Sequence, residues 1–179
     1  MRRFDPTRVA DLELRMWQAY YVKERVRLFS LLVTMLHEQY RYSWATATTE
    51  ALYLARAAAT FGDLKGDYNQ VLPDLEAAYE KARSWHDARF DPRAVARAEL
   101  AWWVARRIPG QNTPDEVGLL IAEENAMLYE VPRDVVLDAA VLRATAGRLR
   151  DEGGEQADWK RVSELLQQSF RALHGAVNR

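Results

Sequence analysis

From Thr7 to Phe61 the chain contains neither glycine nor proline. A stretch of that length without either of the strongest breakers, carrying apolar residues at steps of three and four, can only be helical. Its start is marked by Asp5-Pro6: aspartate is a good N-cap, and proline suits the first helical position because its missing N–H would have no intrahelical partner. The spacing predicts one helix from Asp5-Pro6 to about Tyr42, roughly 55 Å at 1.5 Å per residue. Two apolar stripes run along it. Val22, Val26, Phe29, Val33, Leu36 and Tyr40 form one; Trp17, Tyr21, Leu28, Leu31, Met35 and Tyr42 form the other. Coverage on most sides marks this segment as the central helix of the fold.

The threonine-rich segment Ser43–Thr49 reads as a break, followed by a second helix over Thr48–Phe61. Gly62–Asp67 is a loop. A third helix runs from Tyr68 or Pro73 to Ala88. Asp91-Pro92 repeats the opening start signal and begins a fourth, to Arg107. Thr113-Pro114-Asp115-Glu116 is a capping box opening a fifth, to about Tyr129. A sixth follows Val131-Pro132 and closes near Glu152 before Gly153-Gly154, and a seventh runs from Asp158 to His174. No segment alternates with the period of a strand. The expected fold is all-α: a compact antiparallel bundle of about seven helices around a long N-terminal helix, one domain over residues 1–179.

With 179 residues, 49% hydrophobic, the chain can bury a substantial core. A net charge of -1 and evenly spread basic residues argue against a nucleic-acid partner. The absence of cysteine excludes disulfides, thiolate catalysis and cysteine-ligated zinc. No apolar run follows the opening Met1–Pro6, and Leu28–Leu36 is too short to span a bilayer, so a soluble, cytoplasmic protein is expected.

Phosphate loops, nucleophile elbows, zinc-protease helices, EF-hand loops and the Glu-x-x-His pairs of di-iron bundles are all missing from the sequence, and no motif calls for a metal or cofactor. Tyr79-Glu80-Lys81-Ala82 resembles the second helix of a tetratricopeptide repeat. That resemblance implies the alternative of stacked helical hairpins of roughly 40 residues forming a peptide-binding solenoid.

Three carboxylates interrupt apolar lines. Glu38 lies six residues before Trp44 and Glu50 six after it, so a chain reversal there brings them level on neighbouring helices. Glu124 falls in the middle of the inner face of its helix, and Arg106 is its expected ion-pair partner. Trp103, between Glu99 and Arg106 in its helical row, is either a core edge or an exposed interface anchor. Glu38, Glu50, Glu124, Trp103 and Arg106 are therefore the candidate ligand-binding residues. The scarcity of catalytic motifs argues against an enzyme more than for one. The expected function is a non-catalytic interaction or assembly module that binds a protein partner or itself, as a homodimer. The alternative is a small-ligand binder or enzyme with inward-facing carboxylates in the bundle core.

Overall fold

The computed structural model describes residues 3–179; Met1 and Arg2, part of the opening read for a targeting signal, lie outside the described residues. Among the described residues there are eight α-helices and no strand: α1 (Pro6–Tyr21), α2 (Arg25–Tyr40), α3 (Trp44–Asp63), α4 (Leu72–His86), α5 (Pro92–Ala105), α6 (Pro114–Tyr129), α7 (Arg133–Gly153) and α8 (Trp159–Val177). Short 3-10 turns precede α4 and α8. The all-α bundle expected from the sequence is what the chain forms. None of the described helices is long and apolar enough to cross a membrane.

The single long helix expected over residues 5–42 is instead the antiparallel hairpin α1–α2. Lys23 adopts a left-handed conformation with φ +59°. The Glu24 amide then reaches back to the Ala19 carbonyl at 3.0 Å, and the Lys23 amide to that of Tyr20 at 3.2 Å. These two bonds are a Schellman ending. Such a turn usually uses glycine, because a Cβ costs about 1–2 kcal/mol in this region of backbone space. The same device, with Asp87 (φ 48°) and Glu130 (φ 53°), ends α4 and α6, and Arg41 (φ 56°) ends α2. The expected break at Ser43–Thr49 is shorter than its composition suggests. Ser43 caps α3 by accepting from the Thr46 amide, and the Thr48 and Thr49 hydroxyls bond back to the carbonyls of Trp44 and Ala45. Threonine satisfied in this way sits inside a helix.

Each helix packs mainly on the helices before and after it, and α8 packs on α1, which closes an up-and-down ring. That closure replaces the open-ended solenoid alternative. The seam is made by Val162, Leu165, Leu166, Phe170, Leu173 and Val177, all buried on one face of α8. Phe4 packs edge-on against Phe170 and His174 at 6.4 and 5.2 Å. α6 and α7 approach most closely at Gly118, where an added Cβ would lie 2.9 Å from the Val141 Cα. The ring is filled. Gln39 Nε2 on α2 donates across its diameter to the Tyr129 hydroxyl on α6 at 2.9 Å.

Candidate functional site

The antiparallel order sets two ends. The lower one gathers the starts of α1, α3, α5 and α7 and the ends of α2, α4, α6 and α8. Glu13 is seven residues into α1, Glu50 six into α3 and Glu99 seven into α5, while Tyr79 is seven before the end of α4 and Glu124 five before the end of α6. At 1.5 Å per residue these side chains form one layer about 8–10 Å above the lower rim. All four glutamates are at least nine-tenths buried.

Within the layer the acids differ in how they are met. Glu13 is held by Arg143 of α7 through Nη2 at 2.6 Å and Nε at 3.0 Å, a charge-assisted clamp. Burial works against the charge of Arg143, but Glu13 outweighs it and holds the guanidinium well above its ordinary value. Glu124 accepts from the Trp102 indole at 2.5 Å and lies 3.0 Å from the Tyr79 hydroxyl. The same hydroxyl lies 2.8 Å from Glu99. A phenol has one proton to give. With both carboxyls in hydrogen-bond reach, the phenol donates to one, and the other satisfies the contact by carrying a proton itself. Burial raises both, and Glu124 raises Glu99 further. Glu50 stands against the Tyr42 phenol; burial pushes it up to about 8, the contact with Tyr42 works against that rise, and Glu99 adds to it. Its Oε2 and the Tyr42 hydroxyl are buried without a hydrogen-bond partner of good geometry. Buried polar atoms in that state call for an occupant, whether water, ion or ligand.

Of the residues singled out from the sequence, the structure brings Glu50, Glu124 and Trp103 into this layer. Trp103 is half-buried, packs on Phe61 at 5.2 Å between ring centres, and hydrogen-bonds Glu99. It is a wall of the interior and not an exposed anchor. Glu38 stays apart. Its partner is Arg8 of α1 at 3.6 Å, near the surface, and the expected Glu38–Glu50 pair does not form. Arg106 does not reach Glu124 either. It follows the last residue of α5 at the upper end, whereas Glu124 lies ten residues down α6, about 15 Å lower. Arg106 pairs with Asp151 at 2.5 Å, beside Arg150. Burial alone would raise Asp151, but Arg150 and Arg106 outweigh it and hold the carboxyl below its ordinary value.

Glu13 and Glu99 were missed by pattern reading, although a signal was present. Asp5, Pro6, Val9, Ala10, Glu13, Leu14 and Trp17 recur as Asp91, Pro92, Val95, Ala96, Glu99, Leu100 and Trp103, each 86 positions later. The repeated unit is thus half the ring, four helices, and not a hairpin. The contacts repeat with the residues. Trp17 of α1 packs under Arg150 of α7, 4.1 Å from the guanidinium carbon to the ring centre, as Trp103 of α5 packs on Phe61 of α3. Phe61 and Arg150 are 89 positions apart, as are Tyr40 and Tyr129, which hydrogen-bond each other near the centre.

At the lower end a cleft of ≈ 590 Å³ opens between the ends of α2, α4 and α6, lined among others by Arg41, Trp85, His86 and Tyr129. Burial pushes the His86 imidazole down to about 4. Tyr129 is one of the lining residues, and its hydroxyl accepts from Gln39 in the interior. Among the described residues no three acidic or imidazole side chains are grouped closely enough to hold a metal ion. Comparison with known families, with curated proteins and with solved structures finds no match.

Proposed function

We propose that this protein is a helical binding module that holds a small organic molecule in the polar layer of its bundle. One observation carries the reading. Three nearly buried glutamates from three different helices, Glu50, Glu99 and Glu124, share one layer where the nearest guanidinium is already committed to Glu13, and Glu50 meets the Tyr42 phenol without a well-aligned hydrogen bond. Burying such groups costs several kcal/mol unless something answers them. Tryptophan and tyrosine walls with a few convergent polar groups are the usual lining of a small-molecule site. The cleft that Tyr129 helps to line would be the way in.

The test is native mass spectrometry of protein purified without affinity metal or additives, then of Glu50→Gln. A discrete extra mass on the wild type, lost on the variant with the oligomeric state unchanged, supports the reading. A bare chain that gains no mass from cell extract of its expression host overturns it.

A second reading, a protein-interaction module, is favoured by the lower rim. Trp44 is 56% exposed and stacks on His37, and Trp85 is 45% exposed beside Arg41. Exposed tryptophan and arginine are the residues that anchor interfaces. Trp44→Ala and Trp85→Ala are expected to weaken self-association, read by light scattering across a concentration series, with the melting temperature unchanged. A monomer at every concentration removes the homodimer form of this reading.

A further inference from the structure

We propose that the guest of the polar layer is an organic cation bearing a primary ammonium, held between Glu50 and Glu99. The inference rests on the ligand-binding reading above and names its chemical class.

The two halves of the ring supply the argument. Arg150 and Phe61 occupy equivalent places, each packed on the equivalent tryptophan. Seven residues earlier on the same helices stand Arg143 and Leu54. Arg143 of α7 clamps Glu13 of α1. Its counterpart by position in the repeat is Leu54, half-buried on α3 and packed against the core, and the counterpart of Glu13 is Glu99 of α5. One half therefore contains its own cation, and the other has kept the acid and lost the cation. The imbalance is doubled one turn away. Glu50 on α3 stands where α7 has the buried Ala139. The α3–α5 side thus carries one carboxyl more and one guanidinium fewer than the side it repeats.

What fits such a place is positive and donates hydrogen bonds. An ammonium has three N–H donors and no acceptor. Glu50 Oε2 and the Tyr42 hydroxyl face each other without a well-aligned bond, and Glu99 shares one phenolic proton with Glu124, so acceptor capacity is left over on both carboxyls. Trp103 stands beside Glu99 and Tyr42 beside Glu50, and aromatic rings near a cation attract it by their quadrupole. An anion would meet three acids and no free cation. A neutral polar guest would leave these carboxyls holding their protons, whereas an ammonium lets them ionise against it. The spread of the carboxyls disfavours a single metal ion and favours an extended organic cation.

The experiment uses isothermal titration calorimetry on the full chain with 1,4-diaminobutane as probe, and 1,4-butanediol and succinate as neutral and anionic controls of like length. The diamine is expected to bind, with the controls at least ten-fold weaker. Leu54→Arg, which places a guanidinium where the other half has one, is expected to weaken the diamine at least ten-fold. Glu50→Gln, nearly isosteric, decides the matter if Leu54→Arg does not fold. Binding of the diol or succinate in preference to the diamine overturns the cationic class and leaves the ligand-binding reading standing. Equal diamine binding by the wild type and both folded variants overturns the assigned residues. No binding by any probe, together with a chain that takes up no mass from extract, overturns both and assigns the unpartnered oxygens to water.

Discussion

Replacing Glu50 by glutamine separates the charge of this side chain from its shape. Burial raises the folded-state carboxyl from its ordinary 4.5 to about 8. The groups that face it are Tyr42, from the link between α2 and α3, and Glu99 from α5. The folded protein therefore holds a proton that the unfolded chain has released. Stabilisation from that proton is complete below pH 4.5 and is lost as pH rises through 8. At 1.36 kcal/mol per unit, wild type loses about 3 kcal/mol of stability from this group between pH 4.5 and 7, and about 4 kcal/mol by pH 9. Against a typical total of 5–15 kcal/mol, a loss of that size moves the unfolding midpoint visibly. Glutamine is neutral throughout and keeps the side-chain volume. The two proteins should be of nearly equal stability at pH 5, and Glu50→Gln should be the more stable above pH 7, with the gap widening to pH 9. The assay is urea unfolding of both proteins, dialysed free of small molecules, at unit pH steps, with the m-value checked for constancy. Parallel curves with a constant offset would show that Glu50 titrates normally and that the buried layer has been misread.

Arg143→Met leaves Glu13 buried and unpaired, and is expected to cost about 3–5 kcal/mol; adding Glu13→Met should recover most of it, both read by urea unfolding at pH 7. Gly118→Ala puts a Cβ against the Val141 backbone, so the usual gain of about 1 kcal/mol in helix propensity is outweighed by a cost of about 1–3 kcal/mol and the melting temperature falls. Lys23→Gly removes the left-handed strain between α1 and α2 and is expected to stabilise by up to about 1 kcal/mol; a loss instead would show that Lys23 makes a compensating contact.

The helical class, most helix starts and the capping box at Thr113 were legible because aspartate, proline, threonine and glutamate announce helix beginnings through local bonds. Helix endings were less legible for an equally local reason. α1, α2, α4 and α6 stop at Lys23, Arg41, Asp87 and Glu130, side chains that say nothing of a left-handed backbone. The α1–α2 turn was invisible on that account, and its loss turned a hairpin into one long helix. The Glu38–Glu50 pairing failed through facing, not register. α3 does reverse direction near Trp44, but Glu38 turns toward Arg8 while Glu50 turns inward. Arg106 failed on height, which two helices in a hairpin fix only once both ends are known.

The layer itself was legible in principle, because its acids sit at one distance from the lower helix ends, and two of them share the repeated Asp-Pro-x-x-Val-Ala-x-x-Glu-Leu-x-x-Trp. That repeat also separates what the fold requires from what it does not. Val9 and Val95, Ala10 and Ala96 are buried alike in the two halves and serve packing alike. The halves part at Leu54 against Arg143 and at Glu50 against Ala139, and both departures fall in the polar layer. A scaffold that needed only to stand would answer Glu99 as it answers Glu13, or replace both by apolar residues, since a buried pair is no more stable than a well-packed apolar substitute. Keeping the acid without its cation breaks the local rule at one place, and that departure is what the proposed guest accounts for.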